Sequence, residues 1–156
     1  MKKLTRLNRA FTLIEVLIVI TIITMLSAVV IIAVNPARQF AQARNTQRWV
    51  AVNSILNGVQ QNMLDNGGSF DFTDCGATTI PATATGISSV GGVDLCDCLV
   101  PTYLSNLPHD PLDGSYTSCT TYDIVYTIHQ DATTGRMTIA VPSGSQELGV
   151  VISVTR

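Results

Sequence analysis

Three sets of residues in this sequence have types and spacings that do chemistry. Glu15 is the one charge in residues 11–34, FTLIEVLIVITIITMLSAVVIIAV, and it sits about one turn from the start of that run. Four cysteines, Cys75, Cys96, Cys98 and Cys119, suit disulfide or metal chemistry. The turn-rich stretch LPHDPLDGSY, residues 107–116, offers Asp110 and Asp113 as hard oxygen donors, with Ser115 and Asp123 as additions. The only histidines, His109 and His129, stand without a Gly-x-Ser-x-Gly elbow, a phosphate-binding loop, a zinc-binding His pair or a Cys-His signature. The chain therefore reads as a non-enzyme.

Glu15 poses the sharpest chemical question. An acidic side chain costs ~2.5–3.5 kcal/mol at the centre of a membrane helix, less near an end, and such charges usually mark function. A cut between Ala10 and Phe11 would create an α-amine on Phe11, four residues before Glu15. A carboxylate and an ammonium about 4 Å apart attract by ~4 kcal/mol at an effective dielectric of about 20. In a lone chain Glu15 turns back to its own amine or rests at the positive end of its own helix. In a stack of such helices it reaches a neighbour's amine and sets axial register. The plain alternative is an acid tolerated near the lipid headgroups.

The elements that position these groups follow from composition and periodicity. Hydrophobic residues make up 46% of the 156 and charged residues 13%, a balance suited to one membrane segment plus a polar head. Residues 11–34 would span ~36 Å as a helix, enough for a hydrocarbon core of ~30 Å. The run is longer than a secretory signal core and lacks a clear small-residue cleavage site after it, so by itself it reads as a signal anchor with its amino end in the cytoplasm. Four of the nine basic residues lie in the first ten positions; without them five basic residues face eleven acidic ones, a net charge of −6. Beyond Arg48 only Arg136 and Arg156 are basic, against ten acids, which argues against nucleic-acid binding through that part.

Pro36 interrupts the helical run at Asn35, and a second helix is expected to about Asp65, stopped by Asn66-Gly67-Gly68. Trp49, Val52, Leu56, Val59 and Met63 recur at helical spacing and predict the seam on which a head packs. Arg38, Arg44 and Arg48 form a basic stem suited to contacts with acidic heads of neighbouring chains. Residues 66–108 are rich in Gly, Ala, Thr and Ser without a period and read as an irregular connection. An even cysteine count outside the cytoplasm implies two disulfides. Cys96 and Cys98 are too close in sequence to pair, which leaves Cys75–Cys96 with Cys98–Cys119, or Cys75–Cys98 with Cys96–Cys119. A zinc site lacks its usual Cys-x-x-Cys spacing. Alternation over residues 122–128, 137–141 and 150–154 predicts an antiparallel meander, and residues 109–156 complete the head.

The stretch RAFTLIEVLIVI, residues 9–20, resembles the processing and assembly signal of type IV pilins and the related type II secretion pseudopilins. The resemblance implies a leader, residues 1–10, removed by prepilin peptidase between Ala10 and Phe11. It further implies N-methylation of Phe11 and an assembly role for Glu15. The family usually has glycine where this chain has Ala10, and many pilins carry a proline within the membrane half rather than at Pro36. The implied fold is α+β: a long N-terminal helix, transmembrane over residues 11–34 and amphipathic over 35–65, with an antiparallel sheet head over 66–156 packed on its second half. The implied function is structural: a subunit, the major one, of a homo-oligomeric helical filament. The subunit is stored in the cytoplasmic membrane and extracted by an inner-membrane platform and an assembly ATPase. A secretion pseudopilin and a DNA-uptake pilus subunit are the neighbouring readings, and a signal-anchored surface protein or enzyme is the reading from another class. Residues 107–116 resemble a loop that binds calcium in major pseudopilins, which implies Asp110 and Asp113 as ligands; no other cofactor is expected.

Overall fold

The structure, a computed structural model, describes residues 11–156. These fall into two compact units, the first ending at Gln39 and the second running Phe40–Arg156.

The first unit is dominated by helix α1, Leu13–Val34. Thr12 caps it, its hydroxyl oxygen accepting from the Glu15 amide at 3.3 Å. Its side chains are exposed throughout, with no buried residue, and by length and composition it is able to cross a membrane. The few polar side chains after Glu15 satisfy themselves: the hydroxyls of Thr21, Thr24 and Ser27 donate to the carbonyls of Ile18, Thr21 and Ile23. Asn35, in the left-handed region at φ 46°, ends α1. Its side-chain oxygen accepts from the Arg38 amide as helix α2, Pro36–Asp65, begins.

In the second unit α2 is covered by a five-stranded antiparallel sheet. Strand β3, Thr121–Gln130, is its spine. It pairs with β1, Thr85–Ser88, on one edge and β4, Met137–Ala140, on the other; β5, Ser153–Thr155, extends the sheet beyond β4. Strand β2, Ser115–Ser118, forms a hairpin with β3. Asp123 is opposed by Ser88 on one side and Ser115 on the other, so β2 and β4 share an edge. Tyr122, Ile124, Tyr126 and Ile128 point inward, as alternation predicts. The β1 register slips between Gly86 and Ser88, where β3 bulges around Val125, a β-branched residue held at φ 71°. Strand β1 lies inside the segment read as irregular; four residues, TGIS, carry too little pattern to announce a strand, and pairing with β3 makes one.

The helical seam differs from the expected one by a rotation. Val52, Leu56 and Val59 are fully buried, but Trp49 is exposed and Met63 half-buried. The buried stripe instead includes Arg48, Ile55 and Asn62. Successive helical residues lie about 100° apart, so placing Arg48 at the centre of the seam turns Trp49 to its flank. Helix α2 then stops as predicted: Gly67 and Gly68 have positive φ, and the Gly68 amide closes on the Met63 carbonyl at 2.7 Å.

Candidate functional site

Two sites emerge, one in each unit. In the first, Phe11 stands 80% exposed at the amino end of the described chain. Thr12 follows as the cap, and Glu15 lies in the first turn of α1 as its only charge. Amide hydrogens at a helix start lack carbonyl partners and attract negative charge. A carboxylate there has a favourable field in an otherwise apolar surface and remains available to a cation outside its own helix. Ala10, the expected residue before the cut, and the basic leader lie outside the described residues.

In the second unit, four charged side chains lock the helix to the head. Arg48, fully buried, donates through Nε to Asp110 Oδ2 at 2.6 Å and through Nη2 to Oδ1 at 3.3 Å. Its Nη1 donates to Glu147 Oε2 at 2.7 Å and to Asn45 Oδ1 at 3.0 Å. Arg44, one helical turn earlier, adds a two-pronged contact to Glu147. Asn45 Nδ2 donates to the Glu147 carbonyl at 3.0 Å, so both ends of that residue are held. Burial pushes the Asp110 carboxyl up, but the hydrogen bonds from Arg48 and from the Leu112 and Asp113 amides outweigh it and hold it below the ordinary value. The bond from Arg44, with Arg48 beside it, draws the Glu147 carboxyl down to about 2.

This arrangement corrects the reading of Arg44 and Arg48 as a stem for neighbouring chains: both are spent on the head of their own chain. Arg44 and Arg48 stand four residues apart, one turn of α2, but no local signal names partners 62 and 99 residues away from Arg48. Residues 107–116 do not fit a calcium ion as placed here. The Asp110 carboxylate is taken by a guanidinium and two amides, so Arg48 supplies the cation. Asp113 is exposed and accepts from the Ser145 hydroxyl at 3.2 Å, while Asp123 accepts from the Val125 amide at 2.9 Å. Among the described residues no group of three His, Cys, Asp or Glu side chains is placed to hold a metal. The tight turn at Asp110 also requires Gly114, where a Cβ would lie 2.5 Å from the Asp110 amide nitrogen.

The disulfides tie down the long connection. Of the two pairings left open, the structure has Cys75–Cys98 and Cys96–Cys119, with Cα separations of 5.1 and 5.2 Å. Tyr122 anchors the same region, its hydroxyl donating to Asp94 Oδ1 at 2.7 Å and accepting from the Leu95 amide at 3.1 Å. Burial, reinforced by Asp94, pushes its phenol up. The two histidines take no part in either site: His109 is exposed on its loop and His129 half-buried on β3.

An apolar, exposed first helix continuing into a second helix, followed by an antiparallel sheet head, defines a pilin-like α+β architecture. Over residues 5–31 the chain matches the prokaryotic N-terminal methylation motif, the leader signature of type IV pilins and pseudopilins. No match is found among curated proteins or among solved structures.

Proposed function

We propose that the chain is the structural subunit, and the major one, of a type IV pilus-like filament. Prepilin peptidase cuts between Ala10 and Phe11 at the cytoplasmic face, and the Phe11 amine is then methylated. An inner-membrane platform and an assembly ATPase draw the subunit from the cytoplasmic membrane into a helical homo-oligomer outside it. The observation that carries this reading is Glu15, the single charge of α1, set in its first turn within the methylation motif. A methylated α-amine remains a cation at neutral pH, and its pairing with the Glu15 carboxylate of an adjacent copy offsets the cost of burying both in a helical bundle. The intact Glu15 supports a major subunit over one confined to the tip. The disulfide-tied segment of the head supports a surface pilus over a secretion pseudopilus.

The test is the mass of the amino-terminal peptide from native membranes and from sheared surface material. The expected peptide begins at N-methylated Phe11 and is abundant in the sheared fraction. A peptide beginning at Met1 in every fraction would leave a signal-anchored surface protein.

A further inference from the structure

The last two turns of α2 present opposite chemistry on opposite faces. At about 100° per residue, Gln60, Met63 and Leu64 point one way and Asn62 and Asp65 the other, with Asn66 just past the helix end beside the latter pair. The first three line an open groove of about 400 Å³ together with the β3–β4 turn, where the apolar Met63, Leu64 and Met137 lie beside Arg136 and Arg156. The other three line a cavity of about 200 Å³ with Asp71, Asp74 and Asp97.

The charges of the two faces have no ionic partner among the described residues, although Asp65 accepts from the Tyr103 hydroxyl and Asp71 from Thr73. Among the described residues the ion pairs are Arg44–Glu147, Arg48–Asp110 and Arg48–Glu147, so neither rim arginine and none of the four aspartates has an ionic partner. The Arg156 guanidinium donates only to the neutral side chains of Asn53, Asn57 and Gln60. Arg136 and Arg156 are also the only basic residues after Arg48, so the positive charge of the sheet and loops is gathered at one pocket. Like-charged surfaces of an acidic head repel, and this pocket is the one place on it where an acidic surface is attracted.

We propose that the arginine-rimmed pocket of one copy receives the aspartate-lined face of the next copy of this chain. A patch and its complement on opposite faces of one subunit form a head-to-tail contact, which repeats along an open helix rather than closing as a two-fold dimer. The apolar floor contributes burial, Leu64 being 78% exposed in the single chain. The arginines and aspartates set which faces meet. The proposal rests on the filament reading above and names the contact between heads within it.

The experiment uses full-length chains expressed in cells that assemble them. Arg136→Asp and Asp65→Arg are each expected to raise the subunit level needed for assembly by roughly threefold to tenfold. Asp65→Arg gives up the hydrogen bond that Asp65 accepts from the Tyr103 hydroxyl at 3.1 Å but places a cation at a helix carboxyl end, where it favours the fold; an unchanged urea midpoint for the variant shows that its effect on assembly reports on contacts rather than unfolding. The double variant, which exchanges the charges between the faces, is expected to recover assembly. Arg136→Lys gives a direct readout, since Lys2 and Lys3 are the chain's only lysines and both precede the cut. In filaments of mixed isotope-labelled and unlabelled subunits, zero-length carbodiimide coupling should join that amine to Asp65, Asp71, Asp74 or Asp97 of another copy. Filaments in which it joins carboxylates elsewhere, or none, would overturn the contact while leaving the filament reading intact. So would a double variant no better than the worse single one, or filaments dissolved by a calcium chelator but indifferent to both single charge changes. A wild-type chain that forms no filament would instead remove the filament reading itself.

Discussion

Replacing Arg48 by alanine tests whether the buried ion cluster is what seats the head on α2. The substitution leaves Asp110 fully buried with a charge that only the Leu112 and Asp113 amides still satisfy, while Glu147 keeps Arg44. Removing one partner of a buried pair costs about 3–5 kcal/mol, and the two remaining amides place this case near 3. A domain of this size has ~5–15 kcal/mol in all, so the variant should lose a fifth or more of its stability. Urea unfolding of the full chain in detergent, followed by the fluorescence of the single tryptophan, Trp49 on the next position of α2, reads that loss as a shift in midpoint. The Arg48→Met/Asp110→Leu double variant should recover most of it, because it removes the uncompensated charge as well as the pair. An unfolding free energy for Arg48→Ala within about 0.5 kcal/mol of wild type would refute this account and make the cluster incidental.

Acid provides a second test. Glu147 has its carboxyl drawn from 4.5 to about 2, and Asp110 is also held below its ordinary value. Groups with depressed folded pKa values contribute stability above their unfolded pKa and lose it as pH falls through the folded one, so unfolding midpoints should hold steady above about pH 5 and decline from about 4.5 toward 2. Removing the Cys75–Cys98 bridge as a serine pair releases a loop of sequence separation 23. That should lower stability by ~3 kcal/mol in the same urea assay, with a comparable loss for Cys96–Cys119. Glu15→Ala should abolish sheared filaments while leaving the chain in the membrane, measured by fractionation and immunoblot; normal filament yield would refute the assembly role.

Much of the chain was legible because the relevant forces act between near neighbours in sequence. The boundaries of α1 and α2 follow from an apolar run, Pro36 and the Asn66-Gly67-Gly68 stop. The central strands follow from the alternation of Tyr122, Ile124, Tyr126 and Ile128. Trp49 was misplaced because it looks like a seam residue beside an arginine. A periodicity rule puts the aromatic ring inward unless it knows that Arg48 finds two carboxylates there. Strand β1 was missed for a related reason, since its four residues become a strand only against β3.

The sequence by itself determined the membrane-grade helix, the placement of Phe11 and Glu15 at its start, the second helix and the strands β3 and β4 of the sheet that covers it, whereas the last strand, expected over residues 150–154, is confined to Ser153–Thr155. Each depends on the order of residues within a few turns or a few strand positions. The tertiary structure alone decided which cysteines pair, that Arg44 and Arg48 serve their own head, and that Asp110 faces a guanidinium rather than an open loop. It also decided that two arginines and four aspartates gather on opposite faces of one helix end. These outcomes join residues up to about a hundred positions apart, and such pairings are selected by the packing of the whole head, which no local pattern encodes.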